Sequence, residues 1–297
     1  MPDIGNLLVR VLLAARGSKR LFSDAGEVDK LVANRMIRPP AFGPSKKLER
    51  RVTISVSYDS GWPVYQITPR GRASGHHVVY AHGGAWINEI HPLQWGLCAT
   101  VAEQGGATVI VPIYPLAPIG TADIVVPRFA EMLEDLISTH GADNVSAMGD
   151  SAGGQIVASA ALLLRDRGVA PLARTVLISP ALDLTFSNPD IAKVEATDPW
   201  LAQPGSKRAA EIWRKDLPAT DPLVSPLLSD LGQLGPLSIY TGTRDITSPD
   251  TRLFAEKARA AGVDVTYVEQ PGAIHVYPIL PTKIGRAAAL EIAGLFK

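Results

Sequence analysis

A serine between glycines at residues 149–154 constrains the fold of this chain more than any other feature. The segment reads Gly-Asp-Ser-Ala-Gly-Gly; it follows an apolar run at 144–148 and precedes a helix-compatible stretch at 155–164. In that context a G-x-S-x-G pattern predicts a sharp turn between a buried strand and a helix. The turn lifts the Ser151 hydroxyl clear of the backbone, and the first helical N–H groups point at it. We interpret Ser151 as a nucleophile; the alternative is a helix-capping serine.

Short apolar strands alternate with helical stretches along most of the chain. The pattern predicts a hairpin at 52–56 and 64–67, with Ser60 and Gly61 in its turn. Further strands are predicted at 78–81, 108–111, 145–148, 175–178, 237–240 and 263–268, and helices near 93–104, 122–139, 152–167, 249–261 and 282–296. This alternation predicts an α/β fold with a mostly parallel sheet covered by helices on both faces.

The connection after the strand at 175–178 is longer than a simple link between two core strands. We therefore expect cap helices at 1–45, a catalytic domain made of 46–186 and 221–297, and a cap insertion at 187–220. The total length of 297 residues suits one large domain of this kind.

The amino-terminal segment contains apolar residues at helical spacing from Ile4 to Leu12. Asp3 precedes this run and Arg10 interrupts it, which favours an amphipathic helix from Ile4 to Ala15 over a secretory signal. Contact of that helix with a membrane surface stays open. No run reaches the ~18 apolar residues of a transmembrane helix, so we expect a cytoplasmic protein.

Charge and cysteine content narrow the function classes. Lysine plus arginine and aspartate plus glutamate number 29 each, so nothing favours a nucleic-acid partner. The single Cys98 excludes an internal disulfide and a multi-cysteine metal site, and we interpret it as a small buried side chain. The six histidines lack metal-ligand spacing. We expect neither a metal nor a cofactor.

A glycine pair follows the strand predicted at 78–81. The loop reads His82-Gly83-Gly84-Ala85-Trp86. Adjacent glycines let successive N–H groups turn toward one point, so Gly83 and Gly84, together with the N–H of Ala152, are candidate oxyanion donors. An ordinary glycine turn is the alternative. We interpret His82 as a structural hydrogen-bonding residue rather than as the base.

Candidates for the acid and the base follow the last two predicted strands. Asp245 comes just after the strand at 237–240, and His275 lies between the last strand and the last helix. Carboxyl ends of parallel strands share one edge of the sheet, so both are expected near Ser151. The order serine, aspartate, histidine is that of a hydrolase triad. Asp183 and Asp250 are weaker alternatives for the acid.

These motifs resemble the hormone-sensitive-lipase branch of the α/β-hydrolase family, over about residues 75–297. The resemblance rests on the two segments above and on matches at 114–118, 179–185 and 221–226. It implies an eight-stranded sheet with a helical cap, a Ser151–Asp245–His275 triad, and Gly83, Gly84 and Ala152 as oxyanion donors. Three residues depart from the family pattern: Ala85 replaces a third glycine, Pro115 an arginine and Ile119 a glutamate.

The predicted function is that of a serine carboxylesterase acting on short- to medium-chain acyl esters through an acyl-enzyme. Trp86, Trp200 and Trp213 are candidate wall residues of the substrate pocket, or aromatic core residues. An amidase or deacetylase of a small metabolite stays an alternative, as does a ligand-binding protein on the same fold. An exposed edge at the last strand makes a homodimer a further prediction.

Overall fold

The computed structural model of this chain describes residues 18–58 and 61–297, together with Gly5 and Val9. The amphipathic helix expected from Ile4 to Ala15 and Ser60 of the predicted turn lie outside the described ranges. Within them, no helix is long and apolar enough to cross a membrane.

One eight-stranded sheet forms the centre of the molecule. The strands are β1 Val52–Ser57, β2 Val64–Pro69, β3 His77–Ala81, β4 Thr108–Pro112, β5 Val145–Asp150, β6 Arg174–Ile178, β7 Leu237–Arg244 and β8 Val265–Ile274. Their order in the sheet is β1-β2-β4-β3-β5-β6-β7-β8. The first two strands form the predicted antiparallel hairpin, β2 is also antiparallel to β4, and the other neighbouring pairs are parallel.

Helices cover both faces of this sheet, and the five predicted from sequence are all present. The helices are α1 Ser18–Ser23, α2 Ala25–Ile37, α3 Pro92–Gly105, α4 Ala122–His140, α5 Ala152–Asp166, α6 Ile191–Glu195, α7 Gln203–Arg214, α8 Ser248–Ala260 and α9 Lys283–Gly294. Short 3₁₀ helices lie at Lys46–Arg50, Ala142–Asn144, Pro226–Leu228 and Tyr277–Ile279. The α/β fold predicted from the alternation is therefore confirmed.

The central strand β5 is buried along its whole length. Every residue of Val145–Asp150 is buried, because helices cover the strand on both sides. Ala147 packs into the core cluster that contains Phe129, whereas Met148 packs into the cluster that contains Trp95. Neighbouring side chains of a strand point to opposite faces, so the two cores meet back to back at this strand.

The amino-terminal helices α1 and α2 pack against α7, which belongs to the long connection after β6. Contact is close at Gly205, where a Cβ would lie 2.5 Å from Cα of Phe22. The two segments thus form one helical layer above the carboxyl edge of the sheet. The boundaries at 1–45 and 187–220 stay predictions.

Candidate active site

The turn after β5 has the strained backbone that the sequence predicts. Ser151 has φ 52° and ψ −119°, outside the regions that most side chains adopt. A Cβ at Gly149 would lie 2.4 Å from the carbonyl oxygen of Gly153, and one at Gly153 would lie 2.0 Å from that of Ala81. The two glycines therefore let β5, α5 and β3 approach closely enough to expose the hydroxyl of Ser151 at the edge of the sheet.

Ser151, His275 and Asp245 form one hydrogen-bonded chain. Nε2 of His275 lies 2.9 Å from Oγ of Ser151, and Nδ1 of His275 lies 2.9 Å from Oδ1 of Asp245. The same carboxylate oxygen accepts hydrogen bonds from the N–H (2.9 Å) and the hydroxyl (2.8 Å) of Thr247, which fix its orientation. Strands β5, β7 and β8 are neighbours or near neighbours in the sheet, and their carboxyl ends bring these three side chains together.

The surroundings of His275 make its imidazole a stronger base. Burial alone lowers the pKa of His275, but the Asp245 carboxylate outweighs it and raises that pKa above its ordinary value. Burial likewise raises the pKa of Asp245, but His275 and its hydrogen bond bring it below its ordinary range. The imidazole can therefore accept a proton from Ser151, while the carboxylate stays ionised.

Neither alternative acid contacts His275. Asp183 accepts hydrogen bonds from the N–H of Thr185 (2.8 Å) and the hydroxyl of Ser187 (3.3 Å). Asp250 accepts one from Nδ2 of Asn188 (2.8 Å), and burial raises its pKa to about 6. Both carboxylates line a cavity next to Ser151. The geometry therefore favours Asp245 as the acid.

The oxyanion loop differs from the sequence expectation at Gly83. Its N–H donates to Oδ1 of Asp150 at 2.9 Å, so this amide is already occupied. Within the described residues, the N–H groups of Gly84, Ala85 and Ala152 have no hydrogen-bond acceptor. Gly84 and Ala85, beside Ala152, are therefore better candidates than Gly83 for donors to an oxyanion. Ala85 accommodates the left-handed backbone there, with φ 53°.

Asp150 is a residue of the site to which the sequence reasoning gave no role. It is buried, and its carboxylate accepts hydrogen bonds from the Tyr80 hydroxyl and from Nε2 of Gln94 (2.9 and 3.0 Å) as well as from Gly83. A Cβ at Gly83 would lie 2.4 Å from Oδ2 of Asp150, which explains the glycine. The one sequence feature that could have pointed to Asp150 is its position next to Ser151 in the turn. Asp150 anchors the oxyanion loop to the turn.

His82 has the structural role expected from sequence. Nδ1 of its ring lies 2.8 Å from the carbonyl oxygen of Gly83, and the ring stacks on Tyr114 at 4.4 Å between centroids. Burial lowers its pKa to about 4.

Cys98 is a buried free cysteine, and burial raises its pKa. No group of three or more ligating side chains that could hold a metal ion occurs among the described residues.

Two cavities meet at Ser151. The smaller, about 50 Å³, lies between the insertion and the start of α8; Leu182, Phe186 and Trp86 line it. The larger, about 430 Å³, lies under α1 and α2, and its wall includes Trp200 and His275. Trp86 and Trp200 thus each line a cavity beside Ser151; their contact with substrate stays a prediction.

Trp213 does not line either of these cavities, contrary to the sequence hypothesis. Its side chain is 0% exposed and stacks on Trp86 with 5.7 Å between ring centroids. The helix α7 carries it into the core, where its indole N–H donates to Oε1 of Gln155 at 3.0 Å. Trp213 supports the wall from behind.

The sequence and the fold of this chain are similar to those of known proteins. A family model described as the alpha/beta hydrolase fold matches residues 78–279. A triacylglycerol lipase of Mycobacterium tuberculosis is 34% identical over 229 residues, which are 77% of this chain and 48% of the lipase; the chain thus spans about half of its length. An acetyl-hydrolase of Streptomyces hygroscopicus is 31% identical over 233 residues, 76% of each protein. A solved hormone-sensitive lipase from a metagenome library superposes with a TM-score of 0.76 at 26% identity, over 91% of this chain and 90% of that one.

Proposed function

Because this chain belongs to the α/β-hydrolase fold family, in its branch of hormone-sensitive-lipase-like carboxylic ester hydrolases, we propose that it hydrolyses esters with Ser151 as the nucleophile. Oγ of Ser151 attacks the ester carbonyl carbon while Nε2 of His275 takes the hydroxyl proton. The negative charge that develops on the carbonyl oxygen is stabilised by backbone N–H groups of Gly84, Ala85 and Ala152. Collapse of this intermediate breaks the bond to the alcohol oxygen, which receives the proton from His275.

The second half of the reaction repeats these steps with water. His275 takes a proton from a water molecule as its oxygen attacks the acyl carbon, and the proton then returns to Oγ of Ser151 as the acid leaves. Asp245 holds the imidazole in the required orientation and stabilises its cation. The observation that carries the proposal is the chain of two 2.9 Å contacts from Ser151 through His275 to Asp245.

We propose that each half of the ester occupies one of the two cavities. The general acid must reach the leaving oxygen, so the alcohol occupies the cavity that His275 lines, and the acyl group occupies the other. The acyl side is the smaller and closes on Leu182 and Phe186. We propose a short acyl group on a larger, apolar alcohol, in agreement with the acetyl-hydrolase named among the relatives.

Three experiments test this proposal. Ser151→Ala, with an unchanged circular dichroism spectrum, is expected to abolish hydrolysis of p-nitrophenyl acetate; turnover at the wild-type rate would overturn the nucleophile. Rates on p-nitrophenyl esters from acetate to palmitate, and on acetates of alcohols from ethyl to naphthyl, test the two sides. We expect kcat/KM to fall beyond hexanoyl and to tolerate the larger alcohols, and the reverse order would overturn the assignment. A matched acetanilide series tests the preference for esters over amides.

Cytoplasmic location, a homodimer through the edge of β8, and contact of the amino-terminal helix with a membrane surface stay part of the proposal from sequence alone.

A further inference from the structure

A second buried carboxylate lies beside the acid of the proposed triad. Asp198, in the connection between α6 and α7, is 2% exposed. Its Oδ1 accepts hydrogen bonds from the N–H groups of Trp200 (2.7 Å) and Leu201 (2.9 Å). Its Oδ2 accepts one from the N–H of Ile246 (3.0 Å). Three backbone donors on one side chain offset much of the cost of burying its charge.

These donors belong to two different parts of the fold. Trp200 and Leu201 are in the insertion, and the Trp200 ring meets the His275 ring edge-on, with 5.9 Å between centroids. Ile246 directly follows Asp245, so its N–H belongs to the loop that carries the acid. A single carboxylate therefore joins the insertion to both the acid and the base of the triad.

The amino-terminal helix α1 supports this arrangement from the other side. Nζ of Lys19 donates to the backbone carbonyl oxygens of Glu195 (2.5 Å) and Asp198 (2.8 Å). The ammonium group thus contacts the main chain at both ends of the turn that presents Asp198.

The charge of Asp198 also acts on the His275 imidazole. Burial, followed by repulsion from the Asp245 carboxylate, raises the pKa of Asp198, whereas the hydrogen bonds from the N–H groups of Leu201 and Trp200 favour its ionised form. The charged groups that act on His275 are Asp245, Asp198 and, more weakly, Asp150. All three carboxylates favour the imidazolium.

We propose that Asp198 is a positioning residue of this hydrolase: it fixes the insertion against the acid loop and supplies a second negative charge that stabilises the His275 cation. This inference rests on the proposed function, because it assumes that His275 becomes a cation during turnover. Asp198 itself touches neither the ester nor the nucleophile; it acts through Trp200, Ile246 and the field at His275.

Asp198→Asn tests the proposal, with Asp190→Asn as the matched control. Asp190 is an exposed aspartate of the same insertion, paired with Lys193. In Asp198→Asn we expect kcat/KM on p-nitrophenyl acetate to fall at least about tenfold. We also expect the acidic limb of its pH profile to move down by roughly half a pH unit, because the base loses one stabilising charge. Asp190→Asn should change neither quantity.

A purely structural role would lower kcat/KM at every pH and leave the midpoint of the acidic limb unchanged. That result would overturn the proposal. If Asp198→Asn fails to fold, Asp198→Ser removes the charge while keeping a short hydrogen-bonding side chain, and the same shift is expected. Asp198→Glu should keep the limb near its wild-type position whatever its rate. Since the Ser151→Ala experiment tests the nucleophile separately, a fixed limb would leave the esterase proposal standing.

Discussion

Trp86 and Trp213 share one hydrogen-bond acceptor. Their rings stack with an interplanar angle of 13°, and both indole N–H groups donate to Oε1 of Gln155, at 3.1 and 3.0 Å. The Nε2 of this glutamine donates to the carbonyl oxygen of Leu223 at 2.6 Å. One buried side chain of α5 thus connects the oxyanion loop, the insertion and the segment that returns from the insertion to the sheet.

Replacing this glutamine should destabilise the protein more than its size suggests. Gln155→Leu leaves two buried indole N–H groups without an acceptor, and each costs about 1–3 kcal/mol. We expect the free energy of unfolding in urea to fall by about 2 kcal/mol or more. Gln104→Leu, at an exposed position of α3, should change it by less than about 0.5 kcal/mol. Equal losses of unfolding free energy in the two variants would show that the shared acceptor does not stabilise the protein.

The choice of acid can be tested by replacing each of the three candidate aspartates with asparagine. Asp245→Asn removes the charge that orients and stabilises the His275 imidazole, so kcat should fall by about 10⁴-fold. Asp183→Asn and Asp250→Asn, which leave the 2.9 Å contact between Asp245 and His275 intact, should lower kcat by far less. Steady-state rates on p-nitrophenyl acetate decide the matter; a loss in either control as large as in Asp245→Asn would contradict the triad.

The activity should fall at acid pH, with a midpoint above the ordinary value for histidine. Neutral His275 is the form that accepts the Ser151 proton, and the Asp245 carboxylate raises the pKa of that imidazole above 6.5. Protonation therefore removes activity as the pH falls through this raised pKa. A profile of kcat/KM between pH 5 and 9 measures it. An acidic midpoint well below 6.5 would mean that burial, rather than Asp245, dominates at His275.

The contact between Gly83 and Asp150 should be necessary for the oxyanion loop. A Cβ at Gly83 would lie 2.4 Å from Oδ2 and 2.7 Å from the carbonyl oxygen of Asp150, so Gly83→Ala must displace the loop. Misplaced donors should lower kcat by about 10²- to 10³-fold with little change in KM. Gly71→Ala, where a Cβ meets open space, is the control. A Gly83→Ala variant with wild-type kcat would show that the loop tolerates the shift.

Local sequence patterns were sufficient to predict most of the fold and the three residues of the proposed triad. The glycines around Ser151, the alternation of strands with helices, and the order of Asp245 and His275 are features of single segments. Strand ends of a parallel sheet then meet at one edge whatever the details of packing.

The contacts that the sequence did not reveal join segments far apart in the chain. The N–H of Gly83 was assigned to the oxyanion because its glycines permit that orientation, but Asp150, 67 positions later, accepts it instead. Trp213 was a candidate wall residue, yet its ring stacks on Trp86, its indole N–H donates to Gln155, and its side chain is completely buried. Asp198 carries no local pattern, since its three donors depend on how the insertion folds back over the acid loop.

The reactivity of Ser151 tests the central claim most directly. The 2.9 Å contact with Nε2 of His275 should activate this hydroxyl toward a fluorophosphonate. Ser146 also contacts a histidine, with 2.8 Å between its Oγ and Nε2 of His76, but it is fully buried and out of reach of the reagent. Mass spectrometry of the labelled, folded protein should find a single adduct on Ser151, and no adduct in Ser151→Ala. An adduct that persists in that variant, or a wild-type protein that takes up none, would contradict the account.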